Sequence, residues 1–347
     1  MEGKRLLQLP LVSLVVTNYN YTDYIEDCLV GILNQTYPNI ECIIVDDCST
    51  DNSVSKIEKF IKKHNKSDIS FKLIKQEKNQ GQLAGFVTGI KLAKGVFLGF
   101  VDADDIILPE FVSTNIQVHF KTNVALSVTQ QIEFDENNQI HSLFSLASPQ
   151  SQKQGEGLLK PQRFEDLKNT VNSQKFFEEE INYKVIGIDT HKFAGWHWGP
   201  TSNVIFRKNV LDFFVFADNF THWKHCADNL LFNFAHLLGG SCIIYTPLTA
   251  YRRHSNKGFS NRAITGNVRF FTQKSMDKMK LDREALVKDM LSIFVKGKEE
   301  FLNFMDKNAF QNLVRGIVAG TSKEELSKNV ELLTQLLNKD EIDKYLN

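Results

Sequence analysis

Four short apolar runs, each followed by a stretch with helical spacing, fill the first third of the chain. Leu11 to Val16 reads as a strand, and Tyr24 to Gln35 follows with Ile25, Leu29, Ile32 and Leu33 on one face. Cys42 to Val45 is a second strand. It ends in Asp46-Asp47, and Ser49-Thr50-Asp51 then supplies capping residues for a helix carrying Val54, Ile57 and Ile61. Phe71 to Ile74, the helical Gly81 to Ala93 and the strand-like Val96 to Val101 repeat the pattern, and a helix to about Phe120 follows Pro109. Such alternation predicts an α/β fold: a mainly parallel sheet with helices on both faces.

The fourth apolar run ends in Asp102-Ala103-Asp104-Asp105. Like charges this close repel, and burying them costs several kcal/mol per ion unless something offsets it. A divalent cation is the simplest compensation, because Mg²⁺ and Mn²⁺ prefer oxygen ligands. In a parallel sheet this strand end shares an edge with Thr17-Asn18-Tyr19-Asn20 and with Asp46-Asp47. That edge offers a flat ring, an amide and paired carboxylates, a set suited to a nucleoside. Taken singly, each aspartate pair is equally explained as a solvated turn.

Bulk numbers narrow the partners. Lys+Arg and Asp+Glu each number 41 in 347 residues, so no overall basic field exists for nucleic acid, and anion binding must be local. The five cysteines are scattered, without a C-x-x-C pair, which fits a reducing cytosol and not a disulfide framework or zinc site. Met1 to Arg5 leads directly into a strand pattern, which predicts no cleaved leader. The longest uncharged stretch, Leu230 to Ala250, contains Gly239-Gly240 and Pro247 and reads as helix, turn and strand instead of a membrane span.

The second half is less regular. A strand-like run covers Val124 to Phe134, and Pro149 to Lys175 reads as an insertion or mobile loop. Asn203 to Phe206 follows as a strand, then a helix near Asp228 to Leu238, then two strands at Cys242 to Tyr245 and Leu248 to Tyr251. From Gly266 the pattern is helical, with a Leu286, Met290, Ile293 stripe. Ser322-x-x-Glu325 reads as a capping box for a helix presenting Leu326, Val330, Leu333 and Leu337. No G-x-x-x-x-G-K-[ST] or G-x-G-x-x-G cradle is present, so phosphate would have to be held by metal and basic side chains. Tyr251-Arg252-Arg253-His254 is the strongest basic run after a strand; alone it would read as a solvated loop.

Together these residues resemble a known family. Val15 to Asn20, Leu33 to Glu41, Val45 to Asp51, Asn79-Gln80-Gly81-Gln82 and Phe100 to Asp105, in that order, look like a GT-A-fold, family-two inverting glycosyltransferase of the bacterial polysaccharide type. The resemblance covers about residues 10 to 260. It implies a GT-A domain over 1–265, with a nucleotide-sugar half at 1–120 and an acceptor-side half at 121–265, and a helical region at 266–347.

It also implies roles. Thr17, Tyr19, Asp47, Gly81 and Asp102 match donor-nucleotide positions, with Arg252 and Arg253 at the phosphates. Asp104 and His254 match ligands of Mn²⁺ or Mg²⁺, and Asp105 is expected to be structural. Asp228, in Cys226-Ala227-Asp228-Asn229-Leu230, matches the catalytic base, with Ala227 where the family usually has Glu. Gly195-Trp196-His197-Trp198-Gly199-Pro200 falls where the acceptor loop is expected, although alternating Trp196 and Trp198 also fit a half-buried strand. Gly85-Phe86-Val87 departs from the family's Ala-Arg-Asn, which removes the usual polar contacts of that helix.

The implied activity is a cytoplasmic, hexosyltransferase-type transfer from a UDP-sugar to a glycan or lipid-linked acceptor in surface glycan (lipopolysaccharide or capsule) synthesis. The alternative is a non-catalytic scaffold or sugar-binding protein of the same fold. The C-terminal stripes serve packing first. Self-association into a homo-oligomer and peripheral attachment at the inner face of the membrane are the further roles open to them, the latter thinly supported by Lys296, Lys298 and Lys307. Other Asp-rich folds fit less well. A haloacid-dehalogenase-type phosphatase would carry its second acidic pair later in the chain, a receiver domain would be far shorter, and a sugar nucleotidyltransferase would carry a Gly-rich, Arg-containing loop where Thr17-Asn18-Tyr19-Asn20 stands.

Overall fold

The computed structural model describes residues 8–142, 185–188, 198–216, 223, 227–254 and 273–346. The Pro149 to Lys175 stretch and the residues Trp196 and His197 lie outside them. The first half forms β1 (Val12–Asn18), α1 (Ile25–Leu33), β2 (Ile40–Asp46), α2 (Ser53–Lys63), β3 (Ser70–Lys75), α3 (Gln82–Leu92) and β4 (Phe97–Asp102). Then come β5 (Ile106–Ile107), α4 (Phe111–Lys121), β6 (Leu126–Asp135), β7 (Ile140–Ser142), β8 (Val185–Ile188), β9 (Val204–Arg207), α5 (Lys208–Leu211), α6 (Ala227–Gly239) and β10 (Ser241–Arg253).

One sheet runs in the order β3-β2-β1-β4-β9-β6-β10-β5, with β7 on β6 and β8 on β10. β1, β2, β3 and β4 are parallel, and β9 runs antiparallel to both β4 and β6. The central strands are apolar because both faces are covered. Successive side chains alternate between the faces. Val15, Ile43, Val45 and Phe100 join Leu83, Phe86 and Ile90 of α3 in one core. Leu14, Val16, Cys42, Ile44 and Val101 join Ile25 and Leu29 of α1 and Ile57 of α2 in the other.

α3 lies close on β1. A Cβ at Gly89 would stand 2.3 Å from Val15 Cγ1, so no side chain fits there without movement. Phe86 fills the position where the family resemblance pointed to a polar side chain. It is buried, with its ring centroid 4.4 Å from that of Phe100. Phe86 thus adds to the core at that position.

Besides the short β5, β7, β8 and α5, which the sequence pattern does not mark, two elements differ from the sequence expectation. The two strands around Pro247 are one strand, β10, whose register against β6 shifts on either side of the proline. Proline offers no N–H to the ladder, so the local pattern breaks while the strand continues. The helix after the Ser322 capping box is two: α10 (Lys323–Ser327) and α11 (Val330–Leu336), in a C-terminal series that begins with α7 (Gln273–Lys296), α8 (Lys298–Phe304) and α9 (Lys307–Ala319). Asn329 makes the break. Its Nδ2 donates to Glu325 O at 2.8 Å, and its carbonyl accepts from Leu332 and Leu333 N. The Leu286, Met290, Ile293 stripe of α7 is buried and belongs to the same hydrophobic cluster as α3 and α6. Among the described residues no helix is long and apolar enough to cross a membrane.

Candidate active site

The carboxyl ends of β1, β2 and β4 meet at one edge, as the alternating pattern requires. Thr17 is the register partner of both Val45 and Asp102. Beside it, Asn18 Nδ2 donates to Asp46 Oδ2 at 2.6 Å and to Ser53 Oγ at 3.0 Å, and Asp46 also accepts from Ser49 N. Asp46 is therefore a buried anchor that ties the two loops together. Asn20 completes the tie: its backbone is left-handed at φ 60°, and its Oδ1 accepts from Thr50 N. Tyr19 beside it is exposed.

Asp47 takes a different part. Its two carboxylate oxygens accept from Gln80 N and Gly81 N, each at 2.8 Å, which pins the loop before α3. Gly81 has φ 89°, a conformation that favours glycine. The loop can therefore run against the carboxylate only with glycine at that turn.

Asp102, Asp104 and Asp105 carry ligand atoms that lie within 4.8 Å of one another. Their surroundings separate them. Asp105 accepts from Ser202 Oγ at 2.8 Å and from Arg252 N at 3.1 Å, so it joins β4 to β10. Asp104 Oδ2 faces His254 Nε2 at 2.8 Å, and both side chains are buried. The half-buried Asp102 has its backbone N–H on Ser202 Oγ and its Oδ1 3.5 Å from Gln82 Nε2. Carboxylate oxygens with one imidazole nitrogen form a hard donor set that suits Mn²⁺ or Mg²⁺.

A fixed positive charge lies behind the cluster. Arg252 is 4% exposed. Its Nη2 donates to Asp27 Oδ2 at 2.7 Å and its Nε to Asp104 O at 3.2 Å, and the guanidinium lies over the rings of Tyr24 and Phe134. Stacking and pairing make a buried arginine tolerable. Arg253 pairs with the buried Glu133. Both arginines are thus engaged by protein partners from other elements. Asp27, Glu133 and Ser202, which hold them and the aspartates, carry no motif that sequence reasoning could single out.

Asp228 is the second residue of α6 and is half-buried; its Oδ1 accepts from Asn229 N at 3.0 Å. Gln82 connects it to the acidic edge. Gln82 Oε1 accepts from Ala227 N at 3.2 Å, while its Nε2 faces Asp102. One amide therefore spans the end of β4 and the start of α6. Its only sequence signal was its place in Asn79-Gln80-Gly81-Gln82. Trp198 is not brought to this edge: it is 1% exposed, donates from Nε1 to Ser241 Oγ at 3.0 Å, and packs on Phe232 and His236.

Known proteins resemble this chain in sequence and in fold. The family model described as "Glycosyl transferase family 2" matches residues 13–185. An uncharacterized glycosyltransferase of Nostoc sp. is 28% identical over 267 residues, covering 77% of this chain and 72% of that protein. The putative glycosyltransferase EpsH of Bacillus subtilis is 45% identical over 105 residues, 30% of this chain and 29% of its own length. The Escherichia coli UDP-Glc:alpha-D-GlcNAc-diphosphoundecaprenol beta-1,3-glucosyltransferase WfgD is 32% identical over 134 residues, 39% of this chain and 50% of its own length. The chain thus spans half or less of the length of these last two relatives. Among solved structures, Staphylococcus aureus TarS 1-349 in complex with UDP-GlcNAc superposes with a TM-score of 0.50 at 16% identity, covering 97% of this chain and 89% of that one, which is a likeness of fold.

Proposed function

The chain belongs to glycosyl transferase family 2, and from that premise we propose that it transfers a sugar from a nucleoside-diphosphate donor to an acceptor hydroxyl with inversion at the anomeric carbon. The observation that carries this reading is the link through Gln82, which joins the Asp102 edge to the helix start that bears Asp228. Donor edge and base are thereby parts of one site.

In this reading the nucleoside packs along Thr17, Tyr19, Asp47 and Gly81. Tyr19 supplies an exposed ring and Asp47 a carboxylate already fixed by two amides. Asp102 accepts from a ribose hydroxyl or a bound water. Asp104 and His254 would hold Mn²⁺ or Mg²⁺, which when bound offsets charge on the departing diphosphate. Arg252 fixes the Asp104 backbone and lends its charge from behind, in place of a direct phosphate contact; Arg253 neutralises Glu133.

Asp228 accepts the proton of the acceptor hydroxyl as that oxygen attacks the anomeric carbon from the face opposite the leaving group. One displacement with one base inverts the configuration. UDP is the favoured donor nucleotide and a lipid-linked glycan the favoured acceptor, by analogy with the E. coli glucosyltransferase and the UDP-GlcNAc complex of TarS. Surface-glycan synthesis is the setting these relatives support.

The test is a screen of UDP-, GDP- and TDP-sugars, with and without Mn²⁺, read by thermal shift and by nucleotide release. Metal-dependent stabilisation and release with one donor class are expected. A metal-independent preference for an unrelated ligand would sink the reading.

A further inference from the structure

Trp223 stands just upstream of α6 and is 1% exposed. Its indole Nε1 donates to Asp289 Oδ2 at 2.6 Å, and Asp289, 4% exposed, lies on α7 of the C-terminal helices. Its carbonyl accepts from Leu83 N, at the start of α3, at 3.3 Å. Gln82, the neighbour of Leu83, accepts from Ala227 N at the start of α6. The two helix starts are therefore capped reciprocally. A backbone group preceding α6 satisfies α3, and a side chain of α3 satisfies α6. Trp223 is in turn tied to α7 by a short hydrogen bond.

The chemistry of that anchor is unusual for its setting. Asp289 sits on α7 between the exposed Lys288 and the buried Met290, with the buried Leu286 and Ile293 about one turn away on either side. A carboxylate among such residues is costly unless hydrogen-bonded, and an apolar side chain would fill the same space at lower cost. The indole supplies a hydrogen bond and a direction that hydrophobic contact alone would not.

We propose that the Trp223–Asp289 pair is a brace through which the C-terminal helices hold the start of α6, and so Asp228, in register with the Asp102 edge. Trp223 and Asp289 are positioning residues. The proposal rests on Asp228 being the base, and it assigns the C-terminal helices a part in turnover. A misplacement of about 1 Å at a reacting group can cost on the order of 100-fold in rate.

The experiment compares Asp289→Asn, Asp289→Leu and Trp223→Phe in the full chain. Each is assayed for kcat and donor KM, for UDP affinity, and for amide exchange at Leu83 and residues 227–231. Asp289→Leu and Trp223→Phe should lower kcat roughly 10- to 100-fold, with donor KM and UDP affinity within about two-fold of wild type. Exchange should accelerate locally at the two helix starts. Asp289→Asn, whose amide oxygen still accepts from the indole, should recover most of kcat. Unchanged exchange at α6 in Asp289→Leu overturns the brace whatever Asp228 does. So does a parallel loss of kcat and UDP affinity with exchange rising across the sheet, which marks general loosening. If Asp228→Asn keeps full turnover while Asp289→Leu still speeds exchange at α6, the base assignment falls and the brace stands. Should Asp289→Leu fail to fold, Trp223→Phe carries the same comparison.

Discussion

His254 Nε2 lies 2.8 Å from Asp104 Oδ2 across a sequence separation of 150 residues. The contact exists because β10 carries His254 back to the end of β4, where Asp105 accepts from the N–H of Arg252 and Ser202 bridges Asp105 and Asp102. Two potential metal ligands are thus presented as a preformed pair, each held by the backbone beside it.

If this pair holds the metal, Asp104→Asn and His254→Ala should each raise the Mn²⁺ concentration for half-maximal transfer by roughly 10- to 100-fold or more, by the scale of ligand-shell substitutions. Chelation of the wild type should abolish transfer, and added Mn²⁺ should restore it. Metal titration followed by nucleotide release measures both. An unshifted Mn²⁺ requirement in both variants would remove the pair from the metal site.

Asp228→Asn should lower turnover by about 10²–10⁴-fold, the usual worth of general-base assistance. Donor binding should stay within about two-fold, because Gln82 links the Asp102 edge to the N–H of Ala227, a bond that the change at Asp228 leaves in place. Steady-state transfer with UDP binding measured in parallel separates the effects. Near-normal turnover would mean that the base is elsewhere.

Gly89→Ala tests how tightly α3 is seated. The new Cβ would meet three carbons of Val15 at 2.3, 2.8 and 3.1 Å, and Val15 is buried in the middle of β1. Overpacking of this kind typically costs about 1–3 kcal/mol. Denaturant unfolding should show a lower midpoint at unchanged slope. Donor affinity should fall as well, since the same helix begins at the Gly81 turn that Asp47 holds.

His119 makes stability sensitive to acid. Burial, with the positive charge of Arg207 adding to it, pushes its pKa down to about 3. Its Nε2 sits 3.0 Å from Ile205 O and 3.1 Å from Ser127 Oγ. An unfolded chain titrates near 6.5, so between these values the unfolded state binds the extra proton, and stability rises with pH. The contribution is fully present above about pH 6.5 and is lost as pH falls toward about 3. Unfolding midpoints measured at pH 7 and pH 5 should differ by an amount on the order of 1–2 kcal/mol, the linkage over that interval. His119→Gln should flatten this dependence. An equal pH slope in the variant would refute the assignment.

Much of this fold was legible because the relevant signals are local. The apolar runs became β1, β2 and β4, since strands covered on both faces need mostly apolar residues, and the edge strand β3, which is only partly buried, still alternates. The Ser322–Glu325 box formed as read because both partners lie within one helical turn. Pro247 misled for the same reason. A proline interrupts the local pattern, yet β6 kept the strand continuous across it.

The site was legible in outline and opaque in detail. Asp102, Asp104 and Asp105 are chemically alike in sequence; the family resemblance assigned them different roles, and the contacts that set them apart come from His254, Gln82, Ser202 and Arg252 in distant segments. Arg252 read as a solvated or phosphate-facing charge, but Asp27, Tyr24 and Phe134 converge on it and enclose it. Trp198 read as a candidate acceptor platform, but Ser241, Phe232 and His236 claim it for the core.

The amino-acid sequence alone determined the alternating sheet, the edge on which the acidic strand end falls, and the residue types available there, because periodicity and strand ends are properties of contiguous residues. The tertiary structure alone decided that Ser202 bridges Asp102 and Asp105, which arginine is enclosed, and that Gln82 and Trp223 join α3, α6 and α7 at the candidate base. Those outcomes depend on hydrogen bonds and burial between segments far apart in the chain, and no local pattern encodes them.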